Sequence, residues 1–172
     1  NVKMKSLIFN RKLAQLALLQ RIELASPGLK KLRKVFGRYL FSKLFSKYFI
    51  NIDKISEDYS ELMQNEFRNI AKLIKGKIFF LSIGAGIGGL ELLILKNFAQ
   101  AHFTFIEKNY VSNKIKYGWD NSNKEGYNYL SQLDLFLKNN GIPKDRYSIF
   151  DFDKNNFPTN NFDIILSIYS LD

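Results

Sequence analysis

The sequence has no cysteine, only one histidine and three prolines among its 172 residues. The absence of cysteine excludes disulfides, thiolate metal sites and cysteine nucleophiles, and nothing else in the composition indicates an oxidising compartment. No uninterrupted apolar run approaches the roughly 20 residues that a membrane-spanning helix needs. The chain begins at Asn1, without a signal-peptide pattern, so we expect residues to precede it in the natural protein. We predict a cytoplasmic protein without a metal site.

Positive charge is concentrated at the start of the chain, although the formal net charge of the whole is +10. Residues 1–50 contain twelve Lys or Arg and one acid, Glu23, so this stretch carries a charge of +11. The remaining residues hold 14 basic and 15 acidic side chains and are close to neutral. The basic character therefore belongs to the first fifty residues alone.

The sequence divides near residue 75 into a basic helical N-terminal extension, residues 1–75, and a second region, residues 76–172. Apolar residues spaced by three or four predict three helices in the extension. The predicted helices are Leu7–Leu24, Leu29–Tyr48 after a break at Ser26-Pro27-Gly28, and Ser56–Ile74 with Ser56 as N-cap and Gly76 just past the end.

Short apolar runs alternate with helical patterns after Gly76, which is typical of βαβ units and a parallel sheet. The predicted elements are strand Lys77–Ile83, helix Gly89–Phe98, strand His102–Glu107, helix Lys124–Asn140, strand Arg146–Phe152 and strand Phe162–Ile168. We therefore predict an α/β fold: a Rossmann-like, mostly parallel sheet, incomplete at about four strands and preceded by the helical extension.

A glycine loop lies between the first predicted strand and its helix, at Gly84, Gly86, Gly88 and Gly89. Glycines at this place allow a tight turn and let a nucleotide-type cofactor approach bare backbone. Glu107 ends the next strand, where a carboxylate can accept both hydroxyl hydrogens of an adenosine ribose. These two features predict a cofactor site but leave NAD and S-adenosylmethionine both open.

Two later features bear on that choice. Asp151 ends the third strand, and Asn156-Phe157-Pro158 then leads to the fourth strand, which contains Phe162-Asp163-Ile164-Ile165. With the glycine loop and Glu107, this order resembles the class I S-adenosylmethionine-dependent methyltransferases over about residues 78–172. Because that family has a seven-stranded sheet and this chain stops after four strands, we expect a C-terminally truncated fragment of a longer protein.

The resemblance implies a set of residues that bind S-adenosylmethionine. Glu107 would hold the ribose hydroxyls, Asp151 the adenine amino group, and Phe152 would lie near the adenine ring. The implied cofactor-binding set is Ser82, Gly84, Ala85, Gly86, Gly88, Glu107, Lys108, Asp151, Phe152, Ser167, Ile168 and Tyr169. Ser82 is a departure, since the family often has an acid at that position.

The stretch Tyr110–Tyr129 is expected to contact the methyl acceptor, because it follows the second strand and is rich in aromatic and amide side chains. Such side chains suit saccharides, and the stretch is similar to bacterial sugar O-methyltransferases. The candidate substrate residues are Tyr117, Trp119 and Tyr127. Asp172 and Asp120 are candidate general bases for a hydroxyl acceptor, whereas His102 starts a strand at the opposite sheet edge and is expected to be structural.

Other functional interpretations remain open at this point. An NAD(P)-dependent oxidoreductase or epimerase would use the glycine loop but give Asp151 no special role, and a non-catalytic Rossmann-like binding domain would accommodate Ser82. The basic extension is interpreted first as a solvated cap over the domain. Peripheral membrane contact through residues 28–50 is the second interpretation, and nucleic-acid binding is disfavoured.

Overall fold

The computed structural model describes residues 7–37, 40–41, 50–111 and 126–167. Its helices and strands follow in the order α1 (Arg11–Gln20), α2 (Pro27–Phe36), α3 (Ile52–Ile74), β1 (Phe79–Ile83), α4 (Gly89–Asn97), β2 (His102–Glu107), β3 (Tyr110–Val111), β4 (Tyr127–Asn128), α5 (Leu130–Asn139), β5 (Tyr147–Asp151) and β6 (Ile164–Leu166). Short 3₁₀ turns occur at Ile22–Leu24 and Lys144–Arg146.

The main sheet contains β1, β2, β5 and β6, all parallel, in the spatial order β5-β2-β1-β6. Counted along the chain, these four strands have the order 3-2-1-4, which is the beginning of the doubly wound arrangement. The strand order reverses between β1 and β6, and ligands of such sheets bind beside the carboxyl ends of the strands at that point. The predicted α/β, Rossmann-like fold with four parallel strands is confirmed.

One face of the sheet packs against the helices. Phe80, Phe103 and Phe105 are buried on this face, and the Phe80 and Phe103 rings stack with centroids 4.8 Å apart. The same core continues through residues of α1, α3, α4 and α5, so the helical extension and the sheet share one hydrophobic core. Because side chains alternate along a strand, Phe79 and Ile165 point to the other face, where both are exposed.

The three predicted helices of the extension form, with different ends. Asn10 caps α1 by accepting the Leu13 amide (2.8 Å). α2 begins earlier than predicted, because Pro27 takes the first helical position, and it ends before Gly37, whose φ is 76°. Within the remainder of the predicted second helix, residues 38–39 and 42–48 lie outside the described residues.

The prediction of Ser56 as N-cap of the third helix is wrong. α3 begins at Ile52, and Asn51 is the N-cap, its side-chain oxygen accepting the Lys54 amide at 3.0 Å. Ser56 is buried one turn inside the helix and donates its hydroxyl to the Leu7 carbonyl. The serine therefore joins α3 to the segment before α1 rather than starting a helix.

The predicted helix Lys124–Asn140 is shorter than expected. Tyr127–Asn128 instead pairs antiparallel with Tyr110–Val111, and α5 starts only at Leu130. Helix α5 is followed by Gly141 with φ of 84°, as its sequence predicted. At residues 127–128 the chain therefore forms backbone hydrogen bonds with a strand that is distant in sequence, although the local pattern predicts a helix there.

Arg33 is an exception to the interpretation of the extension as a solvated basic cap. Its side chain is buried and donates to the carbonyls of Leu18 (3.0 Å) and Leu19 (3.4 Å), near the end of α1. A cation at a helix C-terminus satisfies carbonyls that lack helical partners. None of the helices in the described ranges is long and apolar enough to cross a membrane.

We expect Phe80→Ala to lower the free energy of unfolding by about 3–5 kcal/mol, because it removes a fully buried ring that stacks on Phe103. The neighbouring Phe79 is 52% exposed and makes a matched control; Phe79→Ala should cost less than about 1 kcal/mol. Urea denaturation measures both, and equal losses would contradict the assignment of the two faces.

Candidate functional site

The glycine loop joins the end of β1 to the start of α4. Gly84, Gly86 and Gly88 have φ angles of 68°, 61° and 80°, a region that residues with a Cβ rarely adopt. The Gly84 amide donates to the Ile106 carbonyl at 2.9 Å, which continues the sheet pairing into the loop. The predicted strand–loop–helix is present, and its turn requires glycine at alternate positions.

Glu107 lies at the end of β2 with its carboxylate against this loop. Oε2 accepts the Gly86 amide at 2.8 Å, and Oε1 accepts the Lys108 amide at 2.9 Å. Burial raises the pKa of Glu107, although both backbone amides and the Lys108 charge act in the opposite direction. The acid predicted from the spacing and the glycine predicted from the loop are therefore in direct contact.

Asp151 ends β5 and pairs in register with Glu107 at the same edge of the sheet. Its side chain is buried, and Oδ1 accepts the Asp153 amide at 3.1 Å. The Lys154 ammonium lies 3.7 Å from Oδ2. Glu107 and Asp151, the acids that the resemblance assigns to the ribose and the adenine, thus lie on neighbouring strands at the carboxyl edge of the sheet.

A shallow hollow opens beside Asp151. It is lined by Ile106, Phe150, Asp151, Phe152, Asn155, Asn156, Phe157 and Pro158. The Phe152 and Phe157 rings meet edge to face with centroids 5.6 Å apart, and both are exposed. The Lys108 ammonium lies 5.7 Å from the centroid of the Phe152 ring. An apolar wall with a carboxylate at its side is suited to a flat heteroaromatic ring that carries an amino group.

Ser82 is buried on the helix-facing side of β1 and contacts an acid that the sequence analysis did not single out. Its hydroxyl donates to Glu91 Oε1 at 2.5 Å, from the first turns of α4. Burial raises the pKa of Glu91 to about 7; the Ser82 hydrogen bond opposes this shift, and the Glu107 charge adds to it. A carboxyl group therefore does lie next to position 82, but it comes from the helix.

The helical extension covers the loop. The Gln20 amide, at the end of α1, lies over Gly86, where an added Cβ would be 2.3 Å from Gln20 Oε1. The same oxygen accepts the Ile87 amide at 3.3 Å. Tyr59 of α3 lies against Gly89, where an added Cβ would be 2.4 Å from the Tyr59 hydroxyl oxygen. A side chain at either glycine would push the extension away from the loop.

Asn128 of β4 also contacts the loop. It is fully buried, and its Nδ2 donates to the Gly86 carbonyl. The two-stranded ribbon of β3 and β4 frames the stretch Tyr110–Tyr129 and is thereby attached to the glycine loop. The stretch that we expect to contact the acceptor begins and ends at the carboxyl edge of the main sheet.

The remaining predicted site residues are only partly placed. Ala85 and Lys108 flank the groups described above, and Ser167 directly follows β6. Tyr127 lies in β4 opposite Val111. The residues that fall outside the described ranges are Tyr117, Trp119, Asp120, Ile168, Tyr169 and Asp172. His102 begins β2, at the opposite end of that strand from Glu107, as the sequence predicted.

Sequence reasoning missed Gln20, Tyr59, Glu91 and Asn128. Packing of the extension brings Gln20 and Tyr59 to the loop, and no local sequence pattern predicts this packing. Of these four residues, Glu91 is the one that the sequence could have indicated. It is an acid inside an otherwise apolar helix, in Leu90-Glu91-Leu92, and such an acid indicates a buried polar contact.

Comparison with known proteins does not extend this description. No protein-family model matches the chain, and no curated protein is significantly similar to it. Within the part of the chain that the structure describes, no three acidic or histidine side chains form a group that could hold a metal ion.

We expect Glu91 to make the protein less stable as the pH rises from about 4.5 to about 7. The unfolded chain releases this proton near the ordinary pKa of 4.5, whereas the folded protein keeps it up to about 7. The folded state thus binds more protons in this window, so the free energy of unfolding falls as pH rises. Between about pH 5 and pH 8 the loss is about 2–3 kcal/mol.

Glu91→Gln should remove this loss, which urea denaturation at the two pH values measures. Glu57→Gln, on the exposed side of α3, is the matched control and should keep the wild-type pH dependence. A Glu91→Gln variant with an unchanged pH dependence would show that Glu91 is ionised throughout.

Proposed function

We propose that the chain is the cofactor-binding part of an S-adenosylmethionine-dependent methyltransferase that acts on a hydroxyl group of a small molecule or saccharide. The observation that carries the proposal is the Glu107 carboxylate at the end of β2, bonded to Gly86 and in register with Asp151. A carboxylate has about four acceptor positions. Backbone amides use two of them, which leaves two for the hydroxyls of a ribose.

The hollow beside Asp151 supports an adenosine at this edge. Its apolar wall, formed by Ile106, Phe152 and Phe157, offers a surface for a purine, and Asp151 offers an acceptor for an exocyclic amino group. Glu107 and Asp151 are neighbours across β2 and β5, so ribose and base would lie along adjacent strand ends. The residues present therefore fit the adenosine half of the cofactor.

The charge around the glycine loop favours S-adenosylmethionine over NAD. Glu91 and Glu107 are close enough to raise the pKa of Glu91 through their mutual repulsion. The nearby Arg21 is paired with Glu66 at 2.8 Å. The Glu107 carboxylate against the loop would repel the pyrophosphate of a dinucleotide and attract a sulfonium or ammonium cation.

In this proposal the protein acts mainly by holding two reactants in line. When bound, S-adenosylmethionine would supply a methyl group on a cationic sulfur, and Glu107, Asp151 and the hollow would fix its adenosine. The stretch Tyr110–Tyr129, attached to the loop through Asn128, would hold the acceptor. Asp172 or Asp120 would take the proton that the acceptor hydroxyl loses as its oxygen gains the methyl group.

Calorimetric titration with S-adenosylhomocysteine and, separately, with NADH tests the proposal. We expect S-adenosylhomocysteine to bind and NADH not to bind, because only the former lacks a pyrophosphate. Binding of NADH alone would support the oxidoreductase alternative. Binding of neither ligand would contradict the methyltransferase proposal and favour a non-catalytic domain.

Glu107→Ala should weaken S-adenosylhomocysteine binding at least tenfold, or about 1.4 kcal/mol, because it removes the acceptor for the ribose hydroxyls. Glu107→Gln keeps one oxygen for the Gly86 amide, so it separates loss of loop structure from loss of ribose binding; it should weaken binding as well. Glu61→Ala on the exposed side of α3 is the surface control. Wild-type affinity in both Glu107 variants would remove this residue from the site.

A further inference from the structure

Asn128 carries a buried acceptor that has no partner. The residue is 0% exposed, and its Nδ2 is fixed by donation to the Gly86 carbonyl. Its Oδ1 has no hydrogen-bond partner among the described residues, and neither has Gln132 Oε1 four positions further along. Buried polar groups in folded proteins are nearly always satisfied, so an orphan acceptor beside a binding loop indicates a missing donor.

Three consecutive backbone amides of the glycine loop are, in contrast, already used by protein acceptors. The amide of Gly86 donates to Glu107, that of Ile87 to Gln20, and that of Gly88 to the Ala85 carbonyl at 3.1 Å.

The buried Asn128 oxygen beside the loop is thus an acceptor without a donor, whereas these three loop amides are already taken. A phosphate offers acceptors only, and a phosphate at a helix start binds to backbone amides such as these. A ligand that presents an ammonium or hydroxyl group would instead satisfy the orphan oxygen.

We propose that Asn128 is a ligand-binding residue whose Oδ1 accepts a hydrogen bond from an ammonium or hydroxyl group of the adenosine ligand held at the glycine loop. The identity of that ligand as S-adenosylmethionine rests on the function proposed above. The hydrogen bond to the Gly86 carbonyl sets the orientation of the Asn128 side-chain amide. The glycine loop that binds the ligand therefore also orients the Asn128 oxygen that contacts it.

Titration of Asn128→Ala and Asn128→Leu with S-adenosylhomocysteine tests the inference. We expect both variants to bind at least tenfold more weakly than the wild type, because the ligand's donor loses its buried acceptor, Asn128 Oδ1. Asn128→Leu retains the branched shape and the number of heavy atoms of the side chain, so it separates loss of the hydrogen bonds from loss of packing. Parallel titration with 5′-methylthioadenosine, which lacks the amino-acid part, identifies the donor. If the Asn128 variants bind this ligand as tightly as the wild type does, the donor is the ammonium group. If they lose as much affinity for it as for S-adenosylhomocysteine, the donor is a ribose hydroxyl.

Asn97→Ala is the matched control, because Asn97 also donates its Nδ2 to a backbone carbonyl, that of Leu93 at 2.8 Å, but at the far end of α4. It should keep wild-type affinity, and thermal unfolding checks that all variants are folded. Wild-type affinity in both Asn128 variants would overturn this inference and leave the methyltransferase proposal standing. If the wild type binds NADH instead, the methyltransferase proposal fails and a tenfold loss of NADH affinity on substitution would still support Asn128. A wild-type protein that binds none of these ligands would overturn both.

Discussion

The hydrogen bond from the Gly86 amide to the Glu107 carboxylate determines the form of the candidate site. It connects the end of the second strand to the middle of the loop that follows the first, beyond the Gly84–Ile106 hydrogen bond that continues the sheet pairing. Because Gly86 has a positive φ, its amide points toward β2 while its carbonyl is left for Asn128. Gly86 therefore positions both the Glu107 carboxylate, through its amide, and the Asn128 side-chain amide, through its carbonyl.

Close packing on the same loop makes the helical extension part of the site. Gly86 and Gly89 leave room for Gln20 and Tyr59, which an added Cβ would meet at 2.3 and 2.4 Å. The Arg21–Glu66 ion pair, next to Gln20 in sequence, holds the end of α1 on α3. The extension and the sheet therefore share a core and meet at the glycine loop, so a shift of α1 would reach that loop directly.

The main features of the fold follow from local patterns in the sequence. Continuous apolar runs predicted the parallel strands, and the glycine spacing predicted the loop, because both depend on short stretches of chain. The start of α3 was predicted at Ser56 since serine is a good N-cap, but tertiary contact with Leu7 places that serine inside the helix. The strand pairing at Tyr127–Asn128 depends on Tyr110–Val111, and a window of neighbouring residues does not contain that information.

The site is harder to predict than the fold for the same reason. Glu107 and Asp151 can be singled out from the sequence because each ends its own predicted strand. Asn128 and Glu91 contact Gly86 and Ser82, and their neighbours in sequence do not specify which group each one meets.

The two buried acids beside the loop differ in what stabilises their charge. Glu107 accepts two backbone amides, from Gly86 and Lys108, and both favour its ionised form. Glu91 accepts the Ser82 hydroxyl in a buried position, and burial raises its pKa to about 7. The Glu107 charge adds to that shift, because two carboxylates this close repel each other. Below about pH 7 Glu91 therefore keeps its proton, so no Glu91 charge opposes the carboxylate that the Gly86 and Lys108 amides stabilise.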